Sequence, residues 1–286
     1  MISNAQLKRI AGELNVNPDF AEKDYLLGWF LNALSHREFF VTLFAIKGGS
    51  GLRKFYFADH RFSQDLDFTA RTTLQAATIA NEMRAELEPV FNFLEENGGF
   101  QIARDNTRIE IKNLTPDGFQ LELRIYINGP LRQRAPNLMI RFDANCRHGL
   151  IFDPESRPII HLYPDAETFQ HPMNVYCLEE ILAEKLLCLA NRQRARDLYD
   201  LWAVLLHRQT NIEVSKVLEA AVAKFVTMRK ELPPPKVLFS PTLFTAYQQR
   251  WSGELADTVI TTLPPLQTVW NNVLQWYMNA IAATRK

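Results

Sequence analysis

The sequence predicts an α/β (α+β) protein: a mixed sheet with flanking helices, followed by a helical C-terminal domain. Three observations carry this expectation. Up to residue 128, strand-length apolar runs and period-two stretches alternate with segments of helical spacing. From 177 onward the apolar spacing is helical throughout, broken only at prolines. With 47% hydrophobic and 22% charged residues over 286 positions, the chain is of ordinary globular composition and long enough for one large or two modest domains.

The elements follow in order. Asn17-Pro18-Asp19 is a helix start, with Asn17 as cap and proline at the first helical position. Phe20, Leu26, Leu27, Phe30, Leu31 and Leu34 then recur at helical spacing, giving an amphipathic helix over 18–36. Residues 39–46 (Phe-Phe-Val-Thr-Leu-Phe-Ala-Ile) form an apolar run of strand length that ends at Lys47-Gly48-Gly49. A short helix is expected over 50–58, a second strand from Asp65 to Thr69, and a long helix over 73–95 starting near Thr72 or Thr73. In 98–128 the period becomes two. Ile109 and Ile111 alternate with Arg108, Glu110 and Lys112, and Leu121, Leu123, Ile125 and Ile127 alternate with Glu122, Arg124, Tyr126 and Asn128. The turn between these strands is Thr115-Pro116-Asp117-Gly118. Residues 129–175 read as irregular, with room for one or two further strands. Helices are expected near 177–191, 194–208, 212–230, 241–251 and 265–284. The domain boundary falls in 130–175, dividing the chain into 1–150 and 151–286, the second part completing an active-site cleft.

Composition excludes some classes. The 32 basic residues balance the 32 acidic ones, so net charge gives no support for bulk nucleic-acid binding and leaves only a local basic patch open. The N-terminal stretch has no hydrophobic signal region, and no apolar run reaches the about 18 residues that span a bilayer. Three cysteines without metal-type spacing suit reduced thiols, so the expected location is the cytoplasm. The six histidines show no paired metal spacing, and there is no Gly-x-Ser-x-Gly elbow or P-loop.

Chemistry concentrates in two places. The first is Lys47-Gly48-Gly49-Ser50-Gly51-Leu52 followed by Arg61-Phe62-Ser63-Gln64-Asp65-Leu66-Asp67-Phe68. On a strand, Asp65 and Asp67 share a face while Leu66 and Phe68 enter the core. Two such carboxylates repel unless a cation neutralises them, and hard oxygen ligands suit Mg²⁺ shared with substrate phosphates. The Gly-Gly-Ser turn supplies the complementary half: close backbone approach, and helix-start amides that cradle phosphate oxygens. A nucleotidyl transfer needs both. A third carboxylate is expected on a strand beside that of Asp65 and Asp67. Glu122 and Glu110 are the candidates, with Glu122 favoured because its strand is the more apolar.

The second place is helical. Lys185 sits in the middle of the apolar arc Leu178, Ile181, Leu182 and Leu189, where a lysine needs an anionic partner. That partner is either a structural carboxylate or a bound triphosphate. On the next helix Asp197 and Asp200 share a face with Leu201 and Val204, which points to an internal polar network or to an ion pair tying two helices together. Arg132, Arg134, Arg141 and Arg147, with Arg192, Arg194 and Arg196, either rim a cleft that contacts RNA or are simply solvated.

The wording of these segments resembles the nucleotidyltransferase family of the AbiEii toxins, the toxin half of abortive-infection and type IV toxin–antitoxin pairs. The family pattern Lys-Gly-Gly-Thr-Ala-Leu, then Tyr, then Arg-Phe-Ser-Glu-Asp-Leu/Ile-Asp-Phe stands here as Lys47 to Leu52, Tyr56 and Arg61 to Phe68. Glu22-Lys23-Asp24-Tyr25 matches its usual first helix, and Glu184-Lys185 with Arg196-Asp197-Leu198-Tyr199-Asp200-Leu201 matches its later motifs. Ser50, Gly51 and Gln64 depart from the pattern without removing a carboxylate. The resemblance implies a nucleotidyltransferase-like fold and assigns Lys185 to the nucleotide phosphates and Asp197 and Asp200 to the site as acids. The expected site thus comprises Asp65, Asp67, Lys185, Asp197 and Asp200 for catalysis, with Asp65, Asp67 and Glu122 on Mg²⁺ (or Mn²⁺). Lys47, Gly49, Ser50, Arg61, Ser63 and Lys185 are expected on the nucleotide.

The expected function is transfer of NMP from an NTP to an RNA, for instance the 3′ end of tRNA, or to a protein, by a toxin restrained by a cognate antitoxin and not bound to membrane. Two other readings are a small-molecule (antibiotic-type) nucleotidyltransferase and a non-catalytic nucleotide-binding module. Retention of Asp65, Asp67, Lys185 and Asp197 favours an active enzyme.

Overall fold

The computed structural model describes residues 1–71, 75–115, 118–131, 138–146, 149–207 and 211–283. The chain divides into two compact units, Met1–Leu150 with Pro154–Tyr176, and Ile151–Asp153 with Cys177–Lys286. The expected helix start at Thr72–Thr73 and the Pro116-Asp117 turn lie outside the described residues.

The first unit is built on one mixed sheet. Its strands are β1 (Phe44–Lys47), β2 (Leu66–Ala70), β3 (Gln101–Ile102), β4 (Arg108–Thr115), β5 (Gly118–Asn128), β6 (Leu138–Asn145), β7 (Glu155–Arg157) and β8 (Met173–Val175). They lie in the order β3-β5-β6-β2-β1-β8-β7, with β4 also paired to β5. The β2–β6 and β1–β8 pairs are parallel and the others antiparallel. Residues 154–176, which follow the 150 division, therefore run with the first unit because β8 pairs with β1. Strand β6 fills part of the stretch that reads as irregular.

Period-two alternation sorts the sheet into two faces. Ile46, Phe68, Ala144 and Leu121 stand in one cross-strand line, and Leu66, Phe142 and Leu123 in the next, all buried. Phe68 stacks on Phe142 with ring centroids 4.1 Å apart, and Phe44 meets the same ring edge-on at 5.2 Å. Helices α1 (Asn4–Glu13), α2 (Pro18–Ser35) and α5 (Ala76–Gly98) belong to this unit, and α2 and α5 share the sheet's apolar core. The opposite face carries the polar residues.

The run 39–46 is not one strand. Residues Glu38–Leu43 form a helix, α3, and only Phe44–Lys47 is extended. A short apolar run does not by itself distinguish the two states. Here the helical turn brings both the Phe39 and Phe40 rings against Phe44, edge-on at 5.8 Å and tilted at 5.9 Å, which an extended chain pointing them to opposite faces would not.

Helix α2 is buried around nearly its whole circumference, so its polar residues need internal partners. The consecutive residues Glu22, Lys23, Asp24 and Tyr25 step about 100° each around the axis, and each fastens a different segment. Glu22 accepts the Leu131 amide at 2.6 Å, and Lys23 donates to the Met139 carbonyl at the start of β6. Asp24 takes Arg53 at 2.7 Å and Lys54 at 2.8 Å, and the Tyr25 hydroxyl donates to Asp165 at 2.6 Å. Burial alone would raise the Asp24 carboxyl, but the Arg53 guanidinium and Lys54 ammonium hold it well below the usual carboxylate range. Burial lowers Lys54 to about 8, against the opposing pull of Asp24.

The second unit is helical: α6 (Leu178–Asn191), α7 (Ala195–Trp202) continued by a wide turn over Ala203–His207, α8 (Val214–Thr227), α9 (Pro235–Leu238), α10 (Pro241–Leu255) and α11 (Leu266–Ala283). Trp270 and Tyr277 of α11 pack against Phe239, with Phe244 and Tyr247 also on Trp270. Trp270 and Tyr277 are buried core residues. Glu180 of α6 takes the Ile151 and Phe152 amides at 3.0 Å each and Lys224 at 2.7 Å, which binds residues 151–153 into this unit. Among the described residues no helix is long and apolar enough to cross a membrane.

The Asp24 cluster gives a stability test. Asp24→Ala leaves Arg53 and Lys54 buried without their counter-charge, and is expected to cost about 3–5 kcal/mol in urea unfolding. A loss under about 1 kcal/mol would show that water or another acid replaces the carboxylate.

Candidate active site

The turn after β1 is shaped by what lies against it. Gly48 has φ +68°, a left-handed conformation that favours glycine, and a Cβ there would sit 3.0 Å from Asp67 Oδ2. The backbone of Gly48 therefore lies directly on the Asp67 carboxylate. A Cβ on Gly49 would sit 2.8 Å from Arg61 Nη2 and 3.3 Å from Ser63 Oγ, so those two side chains close over the turn. Gly48–Gly51 open a short helix, α4, which continues into a π turn over Leu52–Tyr56. The first amides of a helix have no acceptor within it and carry the positive end of its dipole. The Ser50 hydroxyl, by contrast, donates to the Asp65 carbonyl. It ties the turn to the aspartate segment, and backbone is what Ser50 can offer a ligand.

Strand register then lines up the charges. On the polar face Lys47 of β1 stands opposite Asp67 of β2, Asp67 opposite Asp143 of β6, Asp143 opposite Glu122 of β5, and Glu122 opposite Glu110 of β4. Neighbouring strands are about 4.8 Å apart, so this is a continuous row of acids with a lysine at one end. The strand beside β2 is β6, and the place expected for Glu122 is occupied by Asp143. Glu122 lies one strand further, held by Lys112 at 2.8 Å and by Arg124. Burial would raise its carboxyl, but those two cations take it below its ordinary value. Asp65 lies just before β2 and pairs with Arg141 at 3.0 Å.

Asp143 behaves differently. Burial, then the charges of Asp67, Glu122 and Asp65, push its carboxyl up to about 6 against the opposing effect of Arg141. Arg141 Nε lies 2.8 Å from Asp143 Oδ2 but makes no hydrogen bond. Asp67, Asp143 and Glu122 line a cavity of about 310 Å³ together with Lys47, Lys112, Arg141 and Asn145. Sequence reasoning missed Asp143, although Ile140-Arg141-Phe142-Asp143-Ala144 alternates as cleanly as its neighbours.

In the second unit Lys185 is buried between Asp197 at 3.0 Å and Asp200 at 2.7 Å, and Arg192 reaches Asp197 at 2.9 Å. Two cations thus face two acids. Burial opposes the Asp197 charge, but Lys185 and Arg192 outweigh it and lower that carboxyl. The adjacent Cys188 thiol is pushed up to about 12 by burial first and Asp197 second. The structure brings Lys185, Asp197 and Asp200 together as the helical spacing predicts. Arg132, Arg134 and Arg147 lie outside the described residues.

The family model for the nucleotidyl transferase AbiEii toxin of type IV toxin–antitoxin systems matches residues 29–276. This chain belongs to that family. An AbiEii chain is a nucleotidyltransferase of a toxin family. In fold, this AbiEii chain is similar to MenT4, a nucleotidyltransferase toxin from Mycobacterium tuberculosis H37Rv, with 22% identity, TM-score 0.58 and 99% of each chain covered. It is similar also to JHP933 from Helicobacter pylori, with 15% identity, TM-score 0.52, and 95% of this chain and 100% of that one covered. At those identities the likeness speaks to fold alone. No curated protein matches the sequence.

Among the described residues of this AbiEii chain, no group of three acid, histidine or cysteine side chains forms a ready metal cage. The acid row nonetheless fits a divalent ion of the Mg²⁺ type, which keeps several waters and takes few protein carboxylates. The Asp143 carboxyl is raised first by burial and then by the neighbouring acids, and a bound cation would offset both. The folded value, about 6, lies above the ordinary carboxylate value, so the folded state loses stability as pH rises through the window between them. Asp143→Asn is therefore expected to stabilise the metal-free protein at pH 7.5, by about 1–2 kcal/mol once partial exposure is allowed for, and to lose that gain below pH 4. Mg²⁺ should raise the wild-type melting temperature more at pH 7.5 than at pH 5. Equal shifts at both pH values would contradict this assignment.

Proposed function

We propose that this AbiEii nucleotidyltransferase moves a nucleoside monophosphate from an NTP to a hydroxyl of an RNA acceptor, using Asp67 and Asp143 as its central carboxylates. The observation that carries this is their cross-strand register beside a glycine turn whose Gly48 backbone lies on the Asp67 carboxylate. The acceptor oxygen forms a bond to the α-phosphorus, the bond from the α-phosphorus to the bridging oxygen breaks, and pyrophosphate leaves with that oxygen.

Each group has a task suited to its surroundings. Asp65, Asp67 and Asp143 would hold Mg²⁺ or Mn²⁺, which supplies charge neutralisation at the phosphates and a lowered hydroxyl pKa. The acceptor's proton passes to solvent or to a carboxylate of the row that holds no metal. The amides of Gly49 and Ser50 contact phosphate oxygens, with Arg61 and Ser63 fixing the turn and Lys47 adding positive charge at the end of the row. Lys185 neutralises nucleotide phosphate charge, and Asp197 or Asp200 orients it. This role rests on the family pattern, since its present partners already account for a buried lysine. The acceptor class follows from the family resemblance, as does a cognate antitoxin as protein partner.

The test is transfer of label from each α-labelled NTP to total RNA with Mg²⁺. Asp67→Ala and Asp143→Ala are expected to lower transfer by about 10²–10³ or more, on the scale seen when a charge-stabilising group is removed. Lys185→Met should raise the KM for NTP by at least about tenfold. Label on a small aminoglycoside but not RNA would move the reading to a small-molecule enzyme. Equal transfer by wild type and Asp67→Ala would remove the mechanism.

A further inference from the structure

One register step from the acid row, the same polar face carries a second line. Arg108 of β4 stands opposite Arg124 of β5, and Arg124 opposite Arg141 of β6. Like charges directly opposite on neighbouring strands destabilise a sheet, so three arginines in a cross-strand line are not explained by folding alone. Two of them are partly compensated. Arg141 pairs with Asp65 and lies beside Asp143, and Arg124 pairs with Glu122 and lies 4.0 Å from Glu110. Arg108 donates to the backbone carbonyls of Asp105 and Thr107, which carry no formal charge.

These side chains are neither buried nor loose. Those of Arg141 and Arg124 are 37% and 34% exposed, so each side chain is within reach of a ligand on that face. The line has a direction. It begins at Arg141, next to Asp65, and ends on β4, which among the described strands pairs only with β5. The arginine line and the acid row run parallel, about 7 Å apart, the length of two strand residues.

Planar, multi-donor cations in a row match a run of phosphodiesters better than a single anion. We propose that Arg141, Arg124 and Arg108 bind consecutive backbone phosphates of the single-stranded end of the RNA acceptor, leading it from the β4 edge to Asp67 and Asp143. This rests on the reading of RNA as the acceptor. It locates the nucleic-acid surface on the sheet face, in a chain whose net charge is zero.

The experiment uses the full chain, a fluorescein-labelled 12-nucleotide single-stranded RNA and anisotropy over a salt series, without metal or NTP. Arg108→Gln is expected to weaken binding about 5- to 10-fold and to flatten the slope of log K against log salt by about 0.7, the value for one phosphate contact on a single strand. The Arg108→Gln/Arg124→Gln pair should flatten it by about twice that. Arg108→Lys should keep the wild-type slope, and unchanged melting temperatures exclude misfolding. Wild-type RNA affinity and slope in both Gln variants would overturn the proposal. So would weakened binding of a labelled NTP with Mn²⁺ while RNA binding is intact, since the line would then serve the triphosphate. The binding and transfer readings separate cleanly. Arginine-dependent RNA binding with no transfer to RNA supports the surface and removes the acceptor reading. Transfer to RNA with wild-type binding in the variants does the reverse.

Discussion

The parallel pairing of β2 with β6 decides what else this protein can do, because it seats Asp67 and Asp143 side by side on one face of the sheet. Side-chain direction alternates along a strand, so a slip of one residue in either strand would send one carboxylate into the aromatic core. That outcome is prevented from the other face. Phe68 and Phe142, the residues next to the two acids, stack face to face at 4.1 Å, and Phe44 closes on the same ring. The core thus fixes the register, and the register aligns the acids. Lys23 adds a second restraint by bonding the Met139 carbonyl, which pins the start of β6 to α2.

Charge is handled in opposite ways at two places in the first unit. At Asp24 two cations meet one buried acid, and the carboxyl is held firmly ionised. At Asp143 burial and the neighbouring acids outweigh Arg141, and the carboxyl is pushed up to about 6. The first arrangement suits a fastening and the second a site that receives a cation or a proton. In the second unit Lys185, Arg192, Asp197 and Asp200 balance one another, so their geometry alone is that of a fastening. Only the family pattern lends them a catalytic meaning.

Much of this was legible in the residues. Period-two alternation in 108–128 and helical spacing after 177 translate directly into β4, β5 and the helices of the second unit. The Gly-Gly-Ser and Asp-Leu-Asp spacing finds the turn and the Asp67 carboxylate that lies against it. What the residues hid was mostly long-range. Which strand lies beside β2 depends on a crossover that no local pattern encodes, so the sequence points to Glu122, one strand further than Asp143. The run 39–46 hid a helix because short apolar stretches fit both states, and aromatic packing chose between them. Helix α1 was readable, since Ser3 and Gln6 form a capping box, but its short apolar pattern is weak. The arginine line is invisible without register, because its members lie 16 or 17 residues apart in sequence.

The most direct test of the central claim is anomalous scattering from crystals grown with Mn²⁺ and a non-hydrolysable NTP. An Mn²⁺ peak is expected within about 2.5 Å of carboxylate oxygens of Asp67 and of Asp143 or Asp65, with phosphate oxygens against the Gly49–Ser50 amides. A peak held by Glu122 and Glu110, or a nucleotide bound away from the glycine turn, would contradict it.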